Sequence, residues 1–139
     1  MSKLARLILP LVVALAGCTS ATPSAPAGAG AEPLVQTVDG VKFQAILNPA
    51  PPQSSQTTTV EITVADPQGQ PVSDGRMVVT LESRGHSMSS NVATAEPKGN
   101  GVWSATLKPA GMTGEHTLTA DLQWQGKSYR ASFGGVNVR

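Results

Sequence analysis

The chain has a single cysteine among its 139 residues, little charge, and no helical periodicity after its first twenty positions. One cysteine excludes an internal disulfide. Charged residues make up 14% of the chain and are scattered singly, so no basic run offers a footprint for nucleic acid or for an anionic membrane surface. No paired carboxylates and no triad pattern appear, which removes the commonest constellations of acid–base and nucleophilic catalysis. With no amphipathic helical segment in the body of the chain, β-structure is what the pattern leaves.

What is present at the start is a compartment signal. Residues 1–17, "MSKLARLILPLVVALAG", place Lys3 and Arg6 before an apolar run from Leu7 to Ala16 that is too short for an ordinary transmembrane helix. The run ends in Leu15-Ala16-Gly17-Cys18, which resembles the lipobox of bacterial lipoproteins. That resemblance implies cleavage before Cys18 and acylation of its thiol, giving an extracytoplasmic protein held to a bacterial membrane through lipid on Cys18. Loss of Lys3 and Arg6 leaves 8 basic against 9 acidic residues, a formal charge of −1. Residues 18–33, "CTSATPSAPAGAGAEP", hold nothing able to anchor a core, so they read as a flexible tether. Residues 34–139 are enough for one small domain.

That domain reads as strands. In "TTTVEITVAD", Val60, Ile62 and Val64 alternate inward against Thr59, Glu61 and Thr63. Met77, Val79 and Leu81 share a face in "GRMVVTLES", as do Trp103, Ala105 and Leu107 in "GVWSATLKP". Leu118, Ala120, Leu122 and Trp124 follow on another strand, and after Gln125-Gly126 come Tyr129, Ala131 and Phe133. An opening hairpin is expected around Asp39-Gly40, and Val136 and Val138 close the chain. Turn-rich segments separate the runs. About seven short strands at this spacing predict an all-β, immunoglobulin-like two-sheet antiparallel sandwich without the disulfide.

The pieces Asp66, Gly69, Pro71 and Val72, then His86 and Met88, then Gly101, Trp103 and Ala105, then Met112 and Gly114, fall in a recognisable order. Over roughly residues 41–138 the chain resembles the YtkA-like and FixH-like domains of bacterial extracytoplasmic proteins. It departs from them at His116, where relatives tend to carry an aromatic. The resemblance implies a membrane-associated, immunoglobulin-like accessory domain with a role in copper handling and no catalysis.

Two readings compete for "SRGHSMSSN" at residues 83–91. Gly85-His86-Ser87-Met88-Ser89 is one residue short of the G-x-S-x-G nucleophile elbow. That elbow needs a strand-to-helix turn, and an acid and then a histidine later in the chain. No helical segment follows Ser87, and the later histidine, His116, precedes Asp121. We therefore expect no enzyme. The metal reading is stronger. The only histidines, His86 and His116, each have a methionine nearby, Met88 and Met112. Imidazole nitrogen and thioether sulfur suit copper(I). Taken singly, the same residues read otherwise: His116 as a strand-start residue at the sandwich rim, Met112 as a plug beneath its turn, His86 and Met88 as solvated.

A shared site requires the two loops to meet. One strand between them puts them at opposite ends of a sandwich; two put them at the same end. "NVATAEP" could be the second strand, and the count stays open on sequence alone. Two functional readings follow. One is a lipid-anchored module that binds copper through His86, Met88, Met112 and His116 and delivers it to another envelope protein. The other is a non-catalytic envelope interaction domain without metal, docking through an exposed sheet or edge strand.

Overall fold

The computed structural model describes residues 32–85 and 91–139, which fold as an immunoglobulin-like antiparallel sandwich. These residues form eight strands: β1 (Leu34–Val38), β2 (Val41–Asn48), β3 (Thr58–Ala65), β4 (Arg76–Ser83), β5 (Asn91–Gly99), β6 (Val102–Leu107), β7 (Gly114–Trp124) and β8 (Lys127–Val138). No helix occurs among the described residues. The hydrogen-bonded order is β1-β2-β3-β6-β5-β4-β7-β8. Strands β2-β3-β6-β5 make one layer and β5-β4-β7-β8 the other, the A-B-E-D and C′-C-F-G arrangement of immunoglobulin domains. β1 extends the first layer past β2.

The order is unbroken because β5 belongs to both layers. Its first half pairs with β4, from Leu81↔Asn91 to Met77↔Ala95, and its second half pairs with β6, beginning at Glu96↔Ser104. This is the strand that a count of about seven lacks. Only Ala95 of β5 is buried, so it shows no apolar alternation. Its strand character comes from two partners, and a single sequence carries no trace of them.

Elsewhere the alternation translates directly. Val60, Ile62 and Val64 of β3 point inward, as do Met77, Val79 and Leu81 of β4, and Leu118, Ala120 and Leu122 of β7. Together with Phe43, Trp103, Leu107 and Phe133 they form one core between the layers. The hairpins turn where Gly and polar residues predict. Asp39 and Gly40 have φ of 49° and 82°, and Gln125 and Gly126 have 50° and 72°. Positive φ at both central residues is the type I′ condition, whose twist matches that of the strands it joins.

β8 runs as one strand to Val138 because of a bulge. His116 pairs with Val136 while Leu118 pairs with Phe133, so Gly134 and Gly135 together face Thr117. The extra residue restores the parity that brings Val136 back into the core three positions after Phe133.

The pieces Asp66, Gly69, Pro71 and Val72 on one side and Gly101 and Trp103 on the other form one structural lock. The Asp66 carboxylate accepts from the N–H groups of Gln68 and Gln70 at 2.9 and 2.8 Å, holding the turn in which Gly69 has φ +79°. Pro71 bridges to Ala65, and the Val72 N–H donates to the Val64 carbonyl at 3.0 Å. The Val72 carbonyl in turn accepts the buried Trp103 Nε1–H at 2.8 Å. Gly101 donates to Ser73 Oγ and accepts from the Val64 N–H.

Candidate functional site

Pairing decides where the described flanks of the histidine and methionine segments sit. With β5 counted, two strands separate the segment after β4 from the segment before β7, and both emerge at the same end of the sandwich. β4 and β7 are neighbours, and their last registered pair is Ser83↔His116. The ladder continues one step further, through the Arg84 N–H to the Glu115 carbonyl at 3.0 Å. An Arg84 Nη1 to Glu115 Oε1 ion pair at 2.6 Å lies over it, on exposed side chains that contribute little by themselves.

The far side of the same connection is also held. The Asn91 amide spans β5 and the exit of β6: Nδ2–H donates to the Lys108 carbonyl, and Oδ1 accepts the Lys108 N–H at 3.2 Å. The residues flanking 86–90 on both sides are therefore bonded to the segment that carries Met112 and His116. Ser54 links the β2–β3 connection to this group, donating to the Arg139 carbonyl at 2.6 Å and accepting the Gly111 N–H at 2.8 Å.

His86, Met88 and Cys18 lie outside the described residues. His116 is 3% exposed and continues the inward parity of Leu118. Its Nδ1 contacts the Gly114 carbonyl at 3.0 Å. A carbonyl only accepts, so Nδ1 carries the proton, and in the neutral ring the lone pair sits on Nε2. This is the way a metal-bound imidazole is commonly held, with one nitrogen donating to a backbone carbonyl and the other left as donor atom. It is equally the way a rim histidine is satisfied. Met112 is 37% exposed on the β6–β7 connection, so it does not plug the turn beneath it. Among the described residues no three His, Cys, Asp or Glu side chains come together as a metal-holding group. The described residues thus supply two soft donors, and a complete set needs the His86 segment.

The pins on either side of that segment were invisible beforehand. Arg84, Asn91, Lys108 and Glu115 are polar residues of no pattern in the sequence, and only cross-strand pairing makes them neighbours. The two indoles found the partners their N–H groups require: Trp103 as above, and Trp124 on Asp74 Oδ1 at 3.1 Å.

No family model matches the chain, and no curated protein is similar enough to match it. Among solved structures the chain is similar to the Escherichia coli adhesin FdeC, at 21% identity and a TM-score of 0.48. That similarity covers 76% of this chain and 33% of the adhesin.

Proposed function

We propose that this chain is a lipid-anchored, extracytoplasmic immunoglobulin-like domain that binds copper(I) with His86, Met88, Met112 and His116 and passes it to another envelope protein. The observation that supports the reading most is the Ser83↔His116 pair, continued by the Arg84–Glu115 backbone bond. It puts the described residue Arg84, shortly before His86, beside Glu115 at one end of the sandwich, and a shared site requires the two segments to meet at one end. The donor types fit the ion: imidazole and thioether are soft ligands that hold copper(I) well, and thioether binds calcium or magnesium poorly. His116 Nε2 is the nitrogen that would bind, with Nδ1–H donating to Gly114 and orienting the ring. The compartment follows from the lipobox-like residues before Cys18 and the resemblance to YtkA-like domains. The reading assigns no catalysis.

The test is a competition titration of residues 34–139 against a chromophoric copper(I) chelator, with a His86→Ala/His116→Ala double variant alongside. Omitting Cys18 removes the one thiol that would bind the ion by itself. One-to-one competition lost in the variant supports the reading. Failure of the wild-type domain to compete sinks it and leaves the non-catalytic interaction domain.

A further inference from the structure

Asparagine followed by glycine is the dipeptide most open to loss of its side-chain amide, because glycine leaves the next backbone nitrogen unshielded. The chain has four asparagines, and only Asn100 precedes a glycine. Asn48 precedes Pro49, which has no N–H to give up, and Asn91 and Asn137 precede the β-branched Val92 and Val138. Asn100 is exposed at the turn between β5 and β6, where Gly99 pairs with Val102, and φ is 53° at Asn100 and 75° at Gly101.

The reaction asks two things of Gly101. Its amide must lose the N–H proton, and the nitrogen must then swing round to the side-chain carbon Cγ of Asn100. The folded chain opposes both. The Gly101 N–H donates to Ser73 Oγ at 2.7 Å, and its carbonyl accepts the Val64 N–H at 2.8 Å. An amide held in this way gives up its proton only when the bond opens. Gly101 is also buried. A Cβ there would stand 2.6 Å from the Val64 carbonyl oxygen and 2.9 Å from Pro71 Cβ, so its backbone has little room to turn. The side chain that would react is in solvent, while the nitrogen that would attack it is sealed.

We propose that Asn100 is a deamidation site gated by Ser73. While Ser73 Oγ holds the Gly101 N–H, Asn100 keeps its amide. When that bond and the Val64 bond open, water takes the Gly101 proton and the nitrogen attacks Asn100 Cγ. The new C–N bond closes a succinimide, the Cγ–Nδ2 bond breaks, and ammonia leaves with a proton returned from water. Water then opens the ring at either carbonyl, giving aspartate or isoaspartate. Isoaspartate adds a methylene to the backbone of the turn, so Gly101 no longer fits Ser73 and Val64 together. Ser73 is a positioning residue: it holds the attacking nitrogen back and takes no part in the chemistry. None of this requires copper.

The purified protein is held in mildly alkaline buffer, and conversion at Asn100 is followed by peptide mass mapping and by isoaspartyl methyltransferase labelling. Folded wild type is compared with Ser73→Ala, with Met77→Ala and with wild type unfolded in guanidinium. The unfolded chain is expected to convert fastest, and at Asn100 first. Ser73→Ala is expected to convert about 2–10 times faster than folded wild type, the shift in opening that loss of one hydrogen bond gives. Met77 is buried away from this turn, so Met77→Ala lowers global stability and should leave the rate near that of wild type. Folded wild type converting as fast as the unfolded chain, an unchanged rate in Ser73→Ala, or equal acceleration in Met77→Ala overturns the gate. Amide exchange in the wild type gives a reading that needs no variant. The Gly101 N–H is expected to be protected although its turn is exposed, and free exchange there overturns the gate as well.

Discussion

Trp103 on β6 donates its indole N–H to the carbonyl of Val72 at 2.8 Å, and both side chains are buried. This bond ties the β3–β4 connection to the inner face of the first layer. It gives the indole its polar partner where water is excluded, and the same connection is held through Val64 and Gly101. Trp103→Phe keeps most of the ring and leaves the Val72 carbonyl without that donor. The expected cost is about 1–3 kcal/mol, the usual penalty for orphaning a buried polar group. Urea unfolding should show a lower midpoint at an unchanged slope.

Met77 packs in the centre of the second layer, between Ala95 of β5 and Leu122 of β7, with no exposed surface. Met77→Ala is expected to cost about 2–5 kcal/mol through lost burial and the cavity left behind. Met112→Ala, at the exposed rim, should move the midpoint by no more than about 0.5 kcal/mol. Thermal melts of the two variants side by side would check the contrast, and a large Met112 effect would contradict its placement.

Gly101 has φ +75°, and a Cβ there would lie 2.6 Å from the Val64 carbonyl oxygen, a backbone atom that cannot swing aside. Gly101→Ala should destabilise by about 2 kcal/mol or more, combining left-handed strain with the clash. Gly69→Ala, at φ +79° but facing open space, should cost only the strain of about 1–2 kcal/mol. The ranking of the two denaturation midpoints is the measurement, and equal values would mean that the 101 approach is looser than described.

Arg130 is held above its ordinary pKa, chiefly by its hydrogen bond to Asp121 and then by that carboxylate's charge. A raised folded-state pKa contributes stability in full below the unfolded value and loses it only as pH rises through the folded one. For a guanidinium both lie beyond the working range. The effect of Arg130→Gln on the urea midpoint should therefore stay constant from about pH 5 to 9. Being fully exposed, the group should also give an effect close to experimental error.

The legible parts of this fold are those in which one residue's environment repeats its neighbour's. Val60, Ile62 and Val64 alternate because each second residue of β3 meets the same core, and that period survives in the linear order. The Asp39-Gly40 and Gln125-Gly126 turns are equally local, since left-handed backbone selects for those residues on the spot. β5 was the obscure strand because it exchanges one partner for another near Ala95 and buries a single apolar side chain. Gly134-Gly135 were similarly mute, a bulge whose meaning depends on the strand opposite.

The candidate site divides along the same line. His86, Met88, Met112 and His116 could be picked out as soft donors by chemistry alone. Whether their segments share an end of the sandwich was a question of strand count, and β5 answered it for the described flanks, through Ser83↔His116 and the Asn91–Lys108 bonds. By itself the sequence determined the β class, the core faces and the hairpin turns, because side-chain period and turn conformation are properties of adjacent residues. Only the tertiary structure decided that Ser83 and His116 face each other at one end of the sandwich, because antiparallel pairing alone turns residues tens of positions apart into neighbours.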